Sequence, residues 1–253
     1  MRIVAIIQAR MGSTRLPGKV MKQLCGQTVM AHVICRVQAC PLVDEVVVAT
    51  TTSLVDDVIV AEAERCGVKW FRGSEEDVLE RYYLAAKKYS ADVVVRVTSD
   101  CPLFDPKVLS QMLEYFKTET VEGLKIDYLS NCLNRSYPRG LDAEVFTLSV
   151  LEKVFQEAHQ LYEREHVTPY IYEHPEMFAL YNQINDEDIS TYRFTLDTEE
   201  DWKLIEAIYT SLYQYGEIFS TEEIISLLKV KPEMVTLNTH IKQKNTYLIK
   251  SKL

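Results

Sequence analysis

Acidic side chains are missing from the beginning of this sequence. The first of them is Asp44, although the chain of 253 residues has a formal net charge of −9 at pH 7. The segment before Asp44 is therefore locally basic. An acidic protein with one basic segment favours a small polyanion as its ligand, because non-specific binding of nucleic acid needs an extended basic surface. We therefore expect no nucleic-acid partner.

The six cysteines include no C-x-x-C pair, and none of them has a histidine at the spacing of a zinc site. A reduced chain is the simplest account. No apolar run near the N-terminus is long enough to span a membrane, so we expect a cytoplasmic protein without membrane contact. Internal repeats and low-complexity linkers are also absent. A chain of this length allows one large α/β domain or two small ones, and we treat residues 1–253 as a single domain.

Two common phosphate-binding motifs are absent from the segment QARMGSTRLPGK, residues 8–19, which follows an apolar run. Five residues separate Gly12 from Gly18, where a P-loop has four, and Val20 stands where that motif requires serine or threonine. The dinucleotide pattern G-x-G-x-x-G is missing too. The segment must therefore bind phosphate, if it does so, in another way.

The same segment has the chemistry of a triphosphate-binding loop. Its glycines can adopt positive φ, while Ser13, Thr14 and free backbone amides can donate hydrogen bonds to phosphate oxygens. Arg10, Arg15 and Lys19 add positive charge. A loop directly after a strand of an α/β sheet is the usual place for a ligand. The remaining basic residues of this region are expected on the solvated surface: Arg2, Lys22 and Arg36.

Short apolar runs alternate with longer amphipathic segments, which is typical of an α/β fold with a mostly parallel, Rossmann-like sheet flanked by helices. Predicted strands are 3–7, 45–50, 69–71 and 92–97, and predicted helices are 29–38, 54–66 and 75–89. Ser53 and Ser74 are candidate N-caps, and Asp105-Pro106 is typical of the start of a further helix.

The alternation breaks down after residue 123, and we interpret residues 124–190 as a small inserted lobe. The later predictions are a helix at 163–173, strands at 178–184 and 193–196, a helix at 199–215 and another that begins with the capping box 220–223. The tail from Lys242 onward carries no site signal.

Two aspartates are placed to hold a metal ion. Asp100 ends the fourth predicted strand, and Asp197 ends the strand predicted at 193–196. Mg²⁺ takes one or two protein carboxylates and completes its octahedron with phosphate oxygens and water. The alternatives remain open: Asp100 also suits a turn before proline, and Asp197 also suits the N-cap of the following helix.

Residues 9–19 resemble the loop of nucleotidyltransferases that activate sugars, specifically the bacterial cytidylyltransferases that make CMP-sugars from CTP. The likeness is greatest to the acylneuraminate and 3-deoxy-manno-octulosonate cytidylyltransferases and to related spore-coat polysaccharide biosynthesis proteins. The family pattern A-R-x-G-S-x-R-L-P-x-K is present at every defined position. The pattern L-D-T-x-x-D at 196–201 resembles the family's second metal aspartate.

The resemblance implies a Mg²⁺-dependent enzyme in which an oxygen of a small anionic acceptor attacks the α-phosphorus of CTP and pyrophosphate leaves. The acceptor would be an acidic sugar or a phosphorylated small molecule, and the product a precursor of surface polysaccharide or glycoconjugate. The 124–190 lobe would serve the acceptor or a homodimer contact. The implied site is catalytic Arg15, Lys19 and Asp100; nucleotide-binding Gln8, Ala9, Arg10, Gly12, Ser13, Thr14 and Ser74; acceptor-binding Arg139, Asp142 and Glu144; and metal-binding Asp100 and Asp197.

Several alternatives stay open. Capping alone would explain much of the Ser74 segment, and Arg164, Glu165 and His166 form a polar cluster that suits a structural role. A GT-A type glycosyltransferase would use a D-x-D motif, which residues 186–188 match, although they favour a solvated turn. A non-catalytic nucleotide-binding module is the other alternative.

Overall fold

The computed structural model describes residues 1–243, and its centre is a seven-stranded sheet. The strands are β1 (Ile3–Gln8), β2 (Gln23–Leu24), β3 (Gln27–Thr28), β4 (Glu45–Thr51), β5 (Lys69–Gly73), β6 (Val93–Thr98), β7 (Tyr128–Ser130), β8 (Glu144–Thr147) and β9 (Leu180–Asn182). The helices are α1 (Val29–Gln38), α2 (Asp57–Arg65), α3 (Val78–Lys88), α4 (Pro106–Val121), α5 (Leu148–Glu157), α6 (Leu161–His166), α7 (Pro169–Glu173), α8 (Glu199–Leu212) and α9 (Thr221–Val230). Short 3₁₀ turns occupy Lys19–Met21, Leu54–Asp56 and Pro232–Leu237.

The strand order in the large sheet is β5-β4-β1-β6-β8-β7-β9. The first four of these strands run parallel to one another, whereas β8 is antiparallel to both β6 and β7. β2 and β3 form a separate hairpin. The predicted mostly parallel sheet is confirmed, and the order places the carboxyl ends of β1, β4, β5 and β6 along one edge.

Helices cover both faces of the sheet, which is why its central strands are almost continuously apolar. Successive side chains of β1 alternate between two cores: Ile3 and Ile7 pack with α1, α4 and α8, while Val4 and Ile6 pack with α3 and α5. The same alternation places the last residue of β1, Gln8, on the α3 face. That placement matters for the site described below.

The 124–190 segment, interpreted above as an inserted lobe, contributes β7, β8 and β9 to this same sheet. The strand predicted at 193–196 is wrong, because this segment makes only an isolated parallel bridge between Arg139 and Arg193. Gly140 makes that bridge possible. Its φ is +103°, and a Cβ atom there would lie 2.5 Å from the backbone of Phe194 and Thr195. The loop before β8 therefore packs directly against the segment that leads to Asp197.

Four predicted helices differ from the observed ones, and one of them, predicted at 199–215, ends at Leu212. The helix predicted at 75–89 begins at Val78, because Asp77 and not Ser74 is its N-cap. The helix predicted at 54–66 opens with the 3₁₀ turn, and Ser53 makes no capping side-chain bond. The helix predicted at 163–173 is interrupted at Val167, whose φ is 74°, so that α6 and α7 are separate.

Other local predictions are confirmed. Helix α1 has the predicted bounds, Asp105 caps α4 with proline in its first turn, and Ser220 with Glu223 forms the capping box of α9. The expectation for Arg36 is wrong, because its side chain is buried and donates to the carbonyl oxygens of Phe104 and Phe219. None of the described helices is long and apolar enough to cross a membrane. Most of the tail from Lys242 onward lies outside the described residues.

Candidate active site

The loop after β1 is closed by its own backbone. The carbonyl oxygen of Met11 accepts hydrogen bonds from the amides of Ser13 at 2.8 Å and Gly18 at 3.2 Å. Gly18 has φ 66° and begins the 3₁₀ turn that carries Lys19. The amide of Met11 donates to Asp56 at 2.8 Å, which ties the loop to the 3₁₀ turn after β4. The loop is thus held in one shape by contacts at both ends.

Lys19 joins the two predicted metal aspartates. Its Nζ atom lies 2.7 Å from Asp100 Oδ2, 2.9 Å from Asp197 Oδ1 and 2.8 Å from the carbonyl oxygen of Leu196. Burial acts to lower the pKa of Lys19, but the charges of Asp100 and Asp197 outweigh it and the pKa is raised. Lys19 is therefore an ammonium ion at neutral pH, held among three oxygens.

Asp197 is surrounded by cations. Besides Lys19, its other carboxylate oxygen lies 3.0 Å from Arg15 and 2.9 Å from Arg193. Burial acts to raise the pKa of Asp197, but the charges and hydrogen bonds of these three cations lower it overall. The N-cap of α8 is Thr198, in a capping box with Asp201, so the alternative role of Asp197 as N-cap is excluded.

Asp100 and Asp197 fit a magnesium site. They share Lys19, and the amide of Leu196 donates to the backbone carbonyl oxygen of Asp100 at 2.8 Å, which fixes the two segments side by side. Within residues 1–243 no group of three or more His, Cys, Asp or Glu side chains could hold a metal. Two carboxylates suit Mg²⁺, whose remaining ligands are water and phosphate oxygens.

The predicted nucleotide-binding residues line the edge between β1 and β5. Arg10 is exposed and reaches Glu75, with 3.4 Å between Nη1 and Oε1, and a Cβ atom on Gly12 would lie 3.7 Å from the same carboxylate. Ser74 directly precedes Glu75, and its Oγ accepts from the Asp77 amide at 3.0 Å. The structure therefore brings the loop and the Ser74 segment together. The remaining members lie in or beside the loop: Gln8 at the end of β1, Ala9 buried against β4, Ser13 half-buried and Thr14 exposed.

The predicted acceptor residues lie on the other side of β1, on and before β8. Asp142 is engaged by both Nη atoms of Arg135, at 2.5 and 3.2 Å. The guanidinium of Arg139 has no ion-pair partner among residues 1–243. Burial, followed by the charge of Arg135, lowers the pKa of Arg139. The charge of Asp142 acts in the opposite direction, but Asp142 forms its ion pair with Arg135, so the guanidinium of Arg139 is suited to bind an anion.

Glu144 lies in a buried network. Its carboxylate accepts from Arg96, from the Tyr128 hydroxyl at 2.6 Å and from the Thr168 hydroxyl at 2.6 Å. Arg96 also donates to Gln8 Oε1 at 3.2 Å. The sequence analysis missed Arg96, although a single arginine within the apolar strand VVVRVT is a signal that the strand end has a polar role.

The Arg164 cluster has a structural explanation in part. Arg164 donates to the Asp77 carboxylate at 3.0 Å and to two carbonyl oxygens, of Phe155 and Ala158, so it braces α6 against the start of α3. The D-x-D sequence at 186–188 is exposed, and Asp188 accepts from the Ser190 amide as a turn residue would. The expectation of a solvated turn there is confirmed.

Comparisons with known proteins give matches over almost the whole chain. The model of a family described as Cytidylyltransferase matches residues 4–252. A spore coat polysaccharide biosynthesis protein of Bacillus subtilis is 33% identical over 241 residues, covering 92% of this chain and 97% of that protein. The solved structure of a cytidylyltransferase from Leptospira borgpetersenii is 38% identical with a TM-score of 0.89, covering 96% of this chain and 100% of that one.

A CMP:2-keto-3-deoxy-manno-octonic acid synthetase solved in complex with CTP has a TM-score of 0.65, at 18% identity, over 83% of this chain and 99% of that one. At that identity the likeness concerns the fold. The resemblance predicted from residues 9–19 is confirmed by these matches.

Proposed function

We propose that this chain, which belongs to the cytidylyltransferase family, transfers CMP from CTP to a small anionic acceptor and releases pyrophosphate. Membership of the family makes the chain a nucleotidyltransferase. The observation that carries the proposal is the contact of Lys19 with both Asp100 and Asp197 at the edge of the sheet where the loop begins. The closeness of two carboxylates that could hold a metal to cations that could bind phosphate supports the proposal.

The site's own cations would stabilise the reacting phosphates. Mg²⁺ held by Asp100 and Asp197 would neutralise charge on the triphosphate. Arg15 and Lys19 lie within 3.0 Å of these carboxylates and can turn from them to phosphate oxygens. There they would stabilise the charge that grows as an acceptor oxygen loses its proton and bonds to the α-phosphorus while the bond to pyrophosphate breaks.

The strand order supports separate positions for the two proposed substrates. The Ser74 segment follows β5, on one side of β1, whereas Arg139 precedes β8, on the other side. We assign the nucleotide to the first side and the acceptor to the second. The likeness in fold to a synthetase solved with CTP supports the choice of nucleotide.

Arg139 supports an anionic acceptor. Its neighbours Arg135 and Arg193 are each paired with aspartates, so among the described residues Arg139 is left to bind a carboxylate or phosphate group. An acidic sugar or a phosphorylated small molecule has such a group. Similarity to a spore coat polysaccharide protein supports a role in the supply of surface polysaccharide or glycoconjugate precursors in the cytoplasm, and a homodimer is compatible with this role.

The test is release of pyrophosphate from CTP and Mg²⁺ with a panel of acidic sugars and phosphorylated small molecules as acceptors. Acceptor-dependent release that yields a CMP-linked product is the expected result. Absence of release with every acceptor, together with tight binding of CTP, would favour the non-catalytic module. Transfer of a sugar from a nucleotide-sugar donor would favour the glycosyltransferase instead.

A further inference from the structure

Arg96 is a largely buried charge in the middle of the sheet. It lies on β6, between β1 and β8, and its side chain is 15% exposed. The register pairs it with Ile6 on β1 and with Glu144 on β8, so it shares the α3 face with Gln8 at the end of β1. Burial of an arginine costs free energy unless acceptors satisfy its N–H groups. The side chains that accept hydrogen bonds from Arg96 therefore indicate its role.

Glu144 holds Arg96 in place from one side. Its carboxylate accepts from Arg96, from Tyr128 on β7 and from Thr168 before α7, so donors from three elements converge on it. With three donors already bound, Glu144 is committed to this network. Its position therefore suits the ordering of Arg96 better than direct contact with an acceptor.

A strained turn supplies the Thr168 hydroxyl. Val167 has φ 74° and ψ −51°, and the Thr168 amide donates to the His166 carbonyl oxygen at 2.9 Å. These values describe a γ-turn of the rare, strained kind, at a β-branched residue that seldom adopts positive φ. Such a conformation persists only where surrounding contacts maintain it, and here it directs Thr168 onto Glu144.

Arg96 in turn orients Gln8. Its Nη2 atom lies 3.2 Å from Gln8 Oε1. Because a guanidinium has donors only, it can face the carbonyl oxygen of the carboxamide and never its NH₂ group. The NH₂ group of Gln8 must therefore face away from Arg96, and it has no hydrogen-bond partner among the side chains and backbone of residues 1–243. Gln8 directly precedes the loop.

We propose that Arg96, ordered by Glu144, is a positioning residue that locks the Gln8 carboxamide so that its NH₂ group donates to an oxygen of the bound CTP. This inference rests on the proposed function, since it takes the loop after β1 as the nucleotide site. A glutamine side chain without this contact would rotate about all of its side-chain torsions, and binding of the nucleotide would have to order it as well as select its NH₂ group over its oxygen. The buried pair removes that freedom before the nucleotide arrives.

A double-mutant cycle tests this proposal. The affinity for CTP with Mg²⁺ is measured by calorimetry for the wild type, Gln8→Ala, Arg96→Lys and the double variant. Lysine keeps a positive charge beside Glu144, but its single ammonium group cannot also reach Gln8 as the second Nη group of the guanidinium does. We expect each single change to weaken binding about tenfold, the cost of one hydrogen bond, and the double change to weaken it about tenfold in total. A hundredfold loss in the double variant, or no loss in Gln8→Ala, would overturn the proposal.

Three further variants test the direction of the hydrogen bond from Gln8 and control for loss of the fold. Gln8→Glu can still accept from Arg96 but presents an anionic oxygen to the nucleotide, so it should bind CTP less well than Gln8→Ala; equal or tighter binding contradicts the donor role. If Arg96→Lys does not fold, Glu144→Gln replaces it in the cycle. Arg36→Lys is the matched control, a buried arginine on the opposite face that donates to two carbonyl oxygens, and it should leave CTP affinity unchanged.

Measurements on the wild-type protein distinguish a failure of the proposed function from a failure of the role proposed for Arg96. If it binds another triphosphate in preference to CTP, the cytidylyl proposal fails, and the same cycle run with the preferred triphosphate still decides the role of Arg96.

Discussion

Lys19 Nζ lies 2.7 Å from Asp100 Oδ2, although the two residues are 81 positions apart in the sequence. This ion pair joins the loop after β1 to the end of β6. A second contact of the same ammonium group, to Asp197, brings in the segment before α8. Three segments that are remote in sequence thus share one cation, and the predictions for catalysis follow from that arrangement.

Asp100→Asn should fold normally and lose turnover by roughly a hundredfold or more, because it removes a carboxylate charge from the metal and from Lys19 while preserving volume. Pyrophosphate release measures the effect, and the thermal unfolding midpoint checks the fold. Asp188→Asn, in the exposed D-x-D sequence, is the matched control and should keep wild-type activity. Near-normal turnover of Asp100→Asn at saturating Mg²⁺ would reject the metal assignment.

Removal of divalent metal by EDTA should abolish turnover while leaving the thermal midpoint of the nucleotide-free protein almost unchanged. Lys19, Arg15 and Arg193 already neutralise the carboxylates, so the fold does not depend on a metal to do so. Scanning calorimetry with and without EDTA measures this. A large fall in the midpoint would mean that a metal is structural.

Arg139→Ala should raise the KM of whichever acceptor supports turnover and leave the affinity for CTP unchanged, because Arg139 lies on the β8 side of the site. Loss of a charge-assisted hydrogen bond costs about 1.5 to 3 kcal/mol, or roughly tenfold or more in KM. Steady-state kinetics and calorimetry give the two quantities. Weaker CTP binding with an unchanged acceptor KM would place the acceptor elsewhere.

CTP should stabilise the protein more than UTP, ATP or GTP, since a site built to pair with cytosine leaves buried polar groups unmatched when another base enters. A ligand at 100 times its Kd stabilises the folded state by about 2.7 kcal/mol. Thermal unfolding with each triphosphate and Mg²⁺ measures the difference. Equal stabilisation by UTP would overturn the choice of cytosine and leave the nucleotidyltransferase standing.

Stability should fall as the pH drops below about 6.5, in part through His166. Burial, with help from Arg96, lowers the pKa of His166 below its ordinary 6.5, against the opposing charges of Glu165 and Glu144. His166 therefore binds a proton more readily in the unfolded chain than in the folded protein. Its contribution to the free energy of unfolding is complete above pH 6.5 and declines below that pH. His166→Asn should flatten the decline in denaturant unfolding between pH 7 and 5.5, whereas the exposed His159→Asn should not. Equal slopes in the two variants would contradict the assignment.

Much of the fold was predictable from local pattern. The apolar runs of β1, β4 and β6, the bounds of α1 and the caps of α4 and α9 all depend on near neighbours in the chain, and these predictions are confirmed. The family resemblance of the loop at residues 9–19 could also be recognised from the sequence, because the residues that carry it stand close together. Where local signals competed, prediction failed: Ser74 and Asp77 are both good caps, and the folded backbone uses Asp77 for α3.

The partners of the charged residues could not be predicted from the local sequence pattern. Arg139, Arg135 and Arg193 look alike in sequence, yet two are paired with aspartates, and Arg139 has no such partner in the described part of the chain. Arg36 is buried and Arg96 meets Gln8 across 88 positions. The contact of Arg96 with Gln8 depends on the place of β6 beside β1, and the burial of Arg36 depends on the packing of α1 against the segments that carry Phe104 and Phe219. A strand carries its apolar periodicity in its own residues, but its neighbour in a sheet is chosen by the packing of the whole chain, so the environment of each charge appears only in the folded structure.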